Sequence, residues 1–354
     1  MASRAFVVRL GAAARVHIER NGLMPHDIRC VPAAAGGPKG LALMPLDRRL
    51  FGDWLARPRD LTLIGASIGA WRMAAAAHAD PLQAIARLER GYVEDQNYGV
   101  KPRAQEIAAR MRGNIAAGFG DWRPRPEIRV AVLTSRATGV LKQNASRQAF
   151  AAVTLANVRG RRHLARHLQR VVFSRGGSEA ANELFAHDPF GAIHARLTEG
   201  NAVDALLASG SIPLLCDPVH DIAGAPPGWY WDGGLIDYHL FYPYAMLDGL
   251  TLYPHFSPTL TPGWLDKFLP WRKQGVRARG ADWLSTMILI APSPEFLATL
   301  PNAKIPDRGD FHRYGQDHAG RIAAWKKAIA ECERFAEEAH AWLARPDPSI
   351  AQSL

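Results

Sequence analysis

Residues 60–78 read Asp-Leu-Thr-Leu-Ile-Gly-Ala-Ser-Ile-Gly-Ala-Trp-Arg-Met-Ala-Ala-Ala-Ala-His, and no other stretch restricts the fold of this 354-residue chain so strongly. An apolar run, Leu61 to Ile64, meets Gly65-Ala66-Ser67-Ile68-Gly69 and passes directly into an alanine-rich helical pattern. The order is strand, sharp turn, helix, with Ser67 at the apex. So tight a turn forces the serine backbone into a sparsely populated conformation, and glycines two before and two after it remove side chains that would collide. The hydroxyl is left above a helix N-terminus, whose N–H groups, starting with that of Ser67, point toward negative charge forming there. Ser67 is therefore a candidate nucleophile. In a chain with 31 glycines a G-x-S-x-G also arises by chance, so the reading needs support from elsewhere.

The surrounding pattern supplies some of it. Ile28 to Ala34 reads as a first core strand, followed by Gly36-Gly37-Pro38-Lys39-Gly40 and a helix marked by Leu41, Leu43, Met44, Leu46, Leu50 and Phe51. Two strand–helix units in so short a span predict right-handed crossovers and a parallel sheet. Further strands are expected at 127–134, 171–174, 229–231, 250–256 and 287–291. Helices are expected at 12–20, 81–117 with a break at Gly99 to Pro102, 146–170, 201–209 and 315–344. The last carries Ile322, Trp325, Ile329, Cys332, Phe335, Ala339 and Trp342 on one face and stops before Pro346. Residues 257–280 read as an irregular insertion. The fold class is α/β: a mainly parallel central sheet flanked by helices, with a C-terminal helical extension, in one domain over 1–354.

Lys and Arg outnumber Asp and Glu by 43 to 33, a net charge of +10 that favours acidic partners, either nucleic acid or anionic lipid. Cys30, Cys216 and Cys332 are odd in number and form no Cys-x-x-Cys pair, which argues against a zinc ribbon or disulfide scaffold and for a reducing compartment. Arg4, Arg9 and Arg15 interrupt the N-terminal apolar residues, so no secretory signal is read there, and no run of eighteen apolar residues spans a membrane. The expectation is a cytoplasmic protein, with peripheral membrane contact open to it.

Acyl transfer at a serine requires oxyanion donors and a base. The 36–40 loop lies roughly 27 residues before Ser67, and its glycines allow consecutive N–H groups to face one concavity. Pro38 has no N–H, which leaves Gly36, Gly37, Lys39 and Gly40 as donors. The loop fits neither the P-loop pattern, since Gly-Leu follows the lysine, nor a G-x-G-x-x-G fingerprint. For the base the sequence offers Asp232, where the aromatic run Trp229-Tyr230-Trp231 meets Gly233-Gly234. A carboxylate activates a serine only when desolvated and held close.

Gly36-Gly37-x-Lys39-Gly40, Gly65-x-Ser67-x-Gly69 and Asp232-Gly233-Gly234, in this order, resemble the patatin-like phospholipases, as does Ala208-Ser209-Gly210-Ser211-Ile212-Pro213 beside that family's Ala-Ser-x-x-x-Pro segment. The resemblance covers residues 26–243 as a catalytic core and leaves 244–354 as a C-terminal extension packed on it. It implies a three-layer patatin-like fold, a Ser–Asp dyad of Ser67 and Asp232, an oxyanion hole from the 36–40 loop, an acyl-enzyme intermediate, a lipid or phospholipid substrate, and no metal or cofactor. Ala35, Lys39 and Tyr238-His239 depart from the family's usual glycine, arginine and Asn-Pro.

Rival readings remain at this stage. A Ser-His-Asp esterase or thioesterase would draw its base from His239, His255 or His312, which follow the serine in the required order. A scaffold that has lost catalysis is disfavoured by the intact Ser67 and Asp232. A nucleic-acid-binding protein would account for the charge, but no helix-turn-helix, RNP, KH or zinc signature is present, so no nucleic acid is expected. Two stretches are basic: Arg159 to Arg170, where His163 and His167 stand four apart without a third metal ligand nearby, and Trp264 to Arg279. The second interleaves Trp264, Phe268, Leu269 and Trp271 with Lys267, Arg272, Lys273, Arg277 and Arg279, a pattern suited to an anionic membrane surface.

Overall fold

The computed structural model describes residues 3–57, 60–176, 184–186 and 188–354. Among the described residues eleven strands form one sheet: β1 Phe6–Leu10, β2 Ile28–Ala33, β3 Leu61–Ala66, β4 Ile128–Ala137, β5 Leu168–Arg175, β6 Ile193–Arg196, β7 Val219–His220, β8 Trp229–Asp232, β9 Leu250–Pro254, β10 Met287–Pro292 and β11 Gln352–Ser353. Their order is β11-β1-β10-β9-β2-β3-β4-β5-β6, with β8 paired to β4 and β7 to β8. The run β10-β9-β2-β3-β4 is parallel throughout, and antiparallel pairs appear only where β1, β5, β7 and β8 join. Every residue of β3, β9 and β10 is buried, as strands covered by helices on both faces must be. The architecture is thus a mixed, mostly parallel α/β sheet flanked by helices.

One register feature positions the site. β4 is paired along Val130 to Ala137 with β5 on one edge. Its other edge is shared: β3 runs parallel to it as far as Ala66 opposite Leu133, and β8 runs antiparallel to it, ending at Asp232 opposite Thr134. Two strands therefore meet end-on at neighbouring rungs of β4. The residues that follow β3 and end β8 are brought together by backbone pairing alone.

The segment after 243 supplies β9, β10 and β11 to this sheet as well as helices. β9 lies beside β2, and β1 from the N-terminus lies between β10 and β11. Helix Ile68–Ala77 is buried along its whole length, which is why its sequence is alanine-rich, and its Arg72 makes a two-point bond to Asp47 at 2.6 and 2.7 Å. Helix His318–Ala344 packs Trp325, Ile329, Cys332, Phe335, Ala339 and Trp342 inward, the stripe read from the sequence.

The structure departs from the sequence reading in several elements. The helix expected at 146–170 is broken after Arg159, where Gly160 adopts φ 150°; one short helical turn, Arg161–Leu164, follows before β5 begins at Leu168. By contrast, the stretch 81–117 is as read: two helices, Pro81–Glu94 and Ala104–Phe119, lie on either side of the break expected at Gly99 to Pro102. The supposed irregular insertion contains helix Pro270–Trp283, started by a proline whose missing N–H is harmless in the first turn. Among the described residues no helix is long and apolar enough to cross a membrane.

Candidate active site

Ser67 sits at the end of β3 with φ 56° and ψ −131°, a conformation that costs a non-glycine residue about 1–3 kcal/mol. Close packing holds it there. A Cβ on Gly69 would lie 2.0 Å from the Ala33 carbonyl oxygen at the end of β2, and one on Gly65 would lie 2.4 Å from the Ala70 nitrogen. The helix thus presses against the strand ends in a way only glycine allows. The Ser67 N–H donates to Ser209 Oγ at 2.9 Å, and Ser209 Oγ–H donates to the Leu133 carbonyl at 2.7 Å. This corrects one expectation: the Ser67 N–H is committed to Ser209 and does not head the set of oxyanion donors. Ser209 belongs to the Ala-Ser-x-x-x-Pro segment, so the signal was in the sequence but the role was not.

Asp232 is held from three directions. Its N–H donates to the Ser211 carbonyl at 2.8 Å, its Oδ1 accepts the Gly234 N–H at 2.7 Å, and its Oδ2 accepts the Ser67 Oγ–H at 2.8 Å. Gly233 passes so close to β4 that a Cβ would meet the Leu133 carbonyl at 2.2 Å, and Gly234 faces Ala35. Ser67 and Asp232 are both buried. Burial pushes the Asp232 carboxyl up to about 6, against the opposing pull of Arg308, the Gly234 N–H, the Ser67 hydroxyl and Lys267.

The 36–40 loop is tied to the Asp-Gly-Gly side by the Ala35 N–H, which donates to the Tyr238 carbonyl at 2.9 Å. Gly37, at φ 57°, opens a 3₁₀ turn over Gly37–Leu43, and the first N–H groups of such a turn lack acceptors within it. Gly40 packs under Ile68, and Lys39 extends its ammonium over the Phe256 ring at 5.0 Å. Ser67 lines a cavity of about 460 Å³ whose walls include Trp71, Tyr92, Met111, Ile212, Leu215 and Phe311. Asp232 lines a separate recess with Ala35, Gly36, Tyr238, Trp264 and Arg308. The structure therefore brings Ser67 and Asp232 into direct contact, with Gly37 lining the cavity on the serine side and Gly36 the recess on the aspartate side.

The profile of the patatin-like phospholipases matches residues 35–242, from the edge of the glycine loop through the Asp-Gly-Gly turn. The chain belongs to the patatin-like phospholipase family. Members are lipid acyl hydrolases in the broad sense. Among solved structures, this patatin-like chain is similar to VipD from Legionella pneumophila at a TM-score of 0.32 and 12% identity, covering 94% of this chain and 70% of that one. No curated protein matches its sequence.

Three features of the patatin-like site were not legible beforehand. Arg308 and Lys267, both outside the matched residues, face the Asp232 side. His239 and His255 are buried against each other, ring centroids 4.4 Å apart, and burial drives the His255 imidazole down to about 3 and His239 well below its usual range. Their Nδ1 atoms meet the Thr261 and Ser257 N–H groups, while His312 lines the cavity. The basic run at 159–170 is not one exposed face: Arg170 is fully buried, bonded to Asp237 at 2.7 Å through two nitrogens and also to Asp188, and Arg161 reaches Asp266 at 3.1 Å. The Nδ1 of His167 accepts the Val140 N–H, and among the described residues no three His, Cys, Asp or Glu are grouped to hold a metal ion.

Proposed function

We propose that the chain is a serine acyl hydrolase of lipid carboxylic esters, phospholipid or lysophospholipid, acting through a Ser67–Asp232 dyad. The observation that carries this reading is the 2.8 Å hydrogen bond from Ser67 Oγ to Asp232 Oδ2 at the edge of a largely apolar cavity. In the first half-reaction Asp232 takes the Ser67 proton as Oγ attacks the ester carbonyl. The N–H groups of Gly36 and Gly37, with Lys39 and Gly40 in the turn that follows, receive the oxyanion; each donor of this kind contributes on the order of 10²–10³ in rate. The leaving alkoxide takes the proton from Asp232, and the acyl group remains on Ser67. Water, deprotonated by Asp232, then releases the fatty acid and restores the serine. A carboxylate near 6 is ionised at neutral pH and more basic than an ordinary aspartate, the compromise a general base requires. We read 1–354 as one domain, with 26–243 as the catalytic core and 244–354 as a C-terminal extension that adds β9, β10 and β11 to the core's sheet as well as packing helices on it.

Phe268 and Trp271, 72% and 52% exposed, stand near Lys267 and would enter an anionic membrane surface beside the site. Binding to phosphatidylserine vesicles that weakens in Phe268→Ala/Trp271→Ala supports that contact, and equal binding by the variant contradicts it. The hydrolase reading is tested by mass spectrometry of a lipid panel incubated with wild type and with Ser67→Ala. Fatty acid release that drops at least about 10³-fold in the variant is expected; release that persists there contradicts it.

A further inference from the structure

Arg308 and Lys267 face Asp232, Lys39 stands close to both, and among the described residues no carboxylate pairs with any of the three. Arg308 lies against the glycine loop: its Nε is 3.2 Å from where a Cβ on Gly37 would stand. It lines both the cavity beside Ser67 and the recess beside Asp232, so it forms part of the wall between them. Lys267 holds its Nζ 4.1 Å from the Tyr238 ring centroid, and Lys39 holds its own over Phe256. Among the described residues none of the three side chains makes a hydrogen bond or ion pair with the protein, and the nearby Asp307 is bonded to Lys304 at 2.6 Å. Burial, with repulsion from Lys39 and Arg308, lowers the Lys267 ammonium to about 8. Clustered, half-buried like charges weigh against the empty protein, and an anion placed among them relieves both the repulsion and the loss of water.

We propose that Arg308, with Lys267 and Lys39, forms an anion subsite for a phosphate or carboxylate on the alcohol side of the substrate ester, the acyl chain occupying the cavity beside Ser67. The inference rests on the acyl-hydrolase reading and adds the charge of the substrate to it. The side follows from chemistry: Arg308 and Lys267 act on Asp232, which must hand its proton to the leaving alcohol, whereas the cavity beside Ser67, apart from Arg308 at its wall, presents Trp71, Met111, Ile212 and Leu215. Arg308 and Lys267 come from beyond the family match, so the preference belongs to this chain's C-terminal region.

The test uses the full chain carrying Ser67→Ala, which keeps substrates intact, and calorimetric binding of a monoacylglycerol phosphate and of the monoacylglycerol with the same chain. The phosphate form is expected to bind about ten- to a hundredfold more tightly, the range of hydrogen bonds to a charged group. That preference should fall at least about tenfold on adding Arg308→Ala, fall less with Arg308→Lys, and fall with Lys267→Gln as a second variant. Equal affinity for the two lipids, or a preference that survives both Arg308→Ala and Lys267→Gln, overturns the subsite. Inorganic phosphate should compete with the phosphate lipid; phosphate that binds without displacing it marks an anion site unrelated to substrate and also overturns the assignment. Failure of the hydrolase reading is seen separately, as wild type that releases no fatty acid from either lipid.

Discussion

Asp232 and Asp237 are five residues apart, both buried, and set in opposite surroundings. Asp237 faces the fully buried Arg170, which bonds both of its oxygens at 2.7 Å in a two-point ion pair that holds the segment in place. Asp232 has neutral partners on both oxygens, a hydroxyl and a backbone N–H, while its cations, Arg308 and Lys267, act without bonding it. The difference shows how one short segment supplies a strut and a base. Direct guanidinium contact makes the strut; desolvation without it raises proton affinity and makes the base.

Exchanging each acid for its amide should separate the two roles. Asp232→Asn is expected to lower ester hydrolysis by about 10³-fold or more, measured as kcat/KM, whereas Asp237→Asn should act on stability instead. Asp237→Asn removes one of the two carboxylates that hold the buried Arg170, leaving Asp188, and should cost about 1–3 kcal/mol in denaturant unfolding. Asp232→Asn should do the reverse. Because its folded pKa is raised, the carboxyl contributes stability at pH below its unfolded value, and that contribution is lost as pH rises through about 6. At neutral pH, removing the charge is therefore expected to stabilise the fold, by about 1–3 kcal/mol; a lower melting temperature for Asp232→Asn would contradict the raised pKa. The smallest effect concerns pH alone. Hydrolysis in wild type should decline on acidification below about 6, and in Arg308→Gln the acid limb should move to higher pH, because Arg308 favours the ionised form.

The N-terminal part of this site was legible because its demands are local. A serine between glycines after an apolar run, a glycine loop after the preceding strand, and an Asp-Gly-Gly after aromatics each mark a backbone passing too close for side chains, and the structure finds contacts of 2.0–2.4 Å in wait for a Cβ on Gly69, Gly65 and Gly233. The meeting of β3 and β8 on one edge of β4 was not legible, since strand register is set by long-range pairing. Nor was the burial of Arg170, which a local reading assigns to a basic surface because Asp237 and Asp188 are distant in sequence. Arg308 and Lys267 lie in segments with no motif, and only the fold brings them to Asp232. β1 went unread because Arg4 and Arg9 obscure its alternation, although every second residue of it is buried.

The central claim is that Ser67 becomes the acyl carrier because Asp232 takes its proton. The most direct measurement is the rate of covalent labelling by a fluorophosphonate at neutral pH, with the site located by peptide mass spectrometry. The account predicts a single adduct on Ser67 in wild type and labelling at least about a hundredfold slower in Asp232→Asn. An unmodified Ser67, or labelling of Asp232→Asn at the wild-type rate, would contradict it.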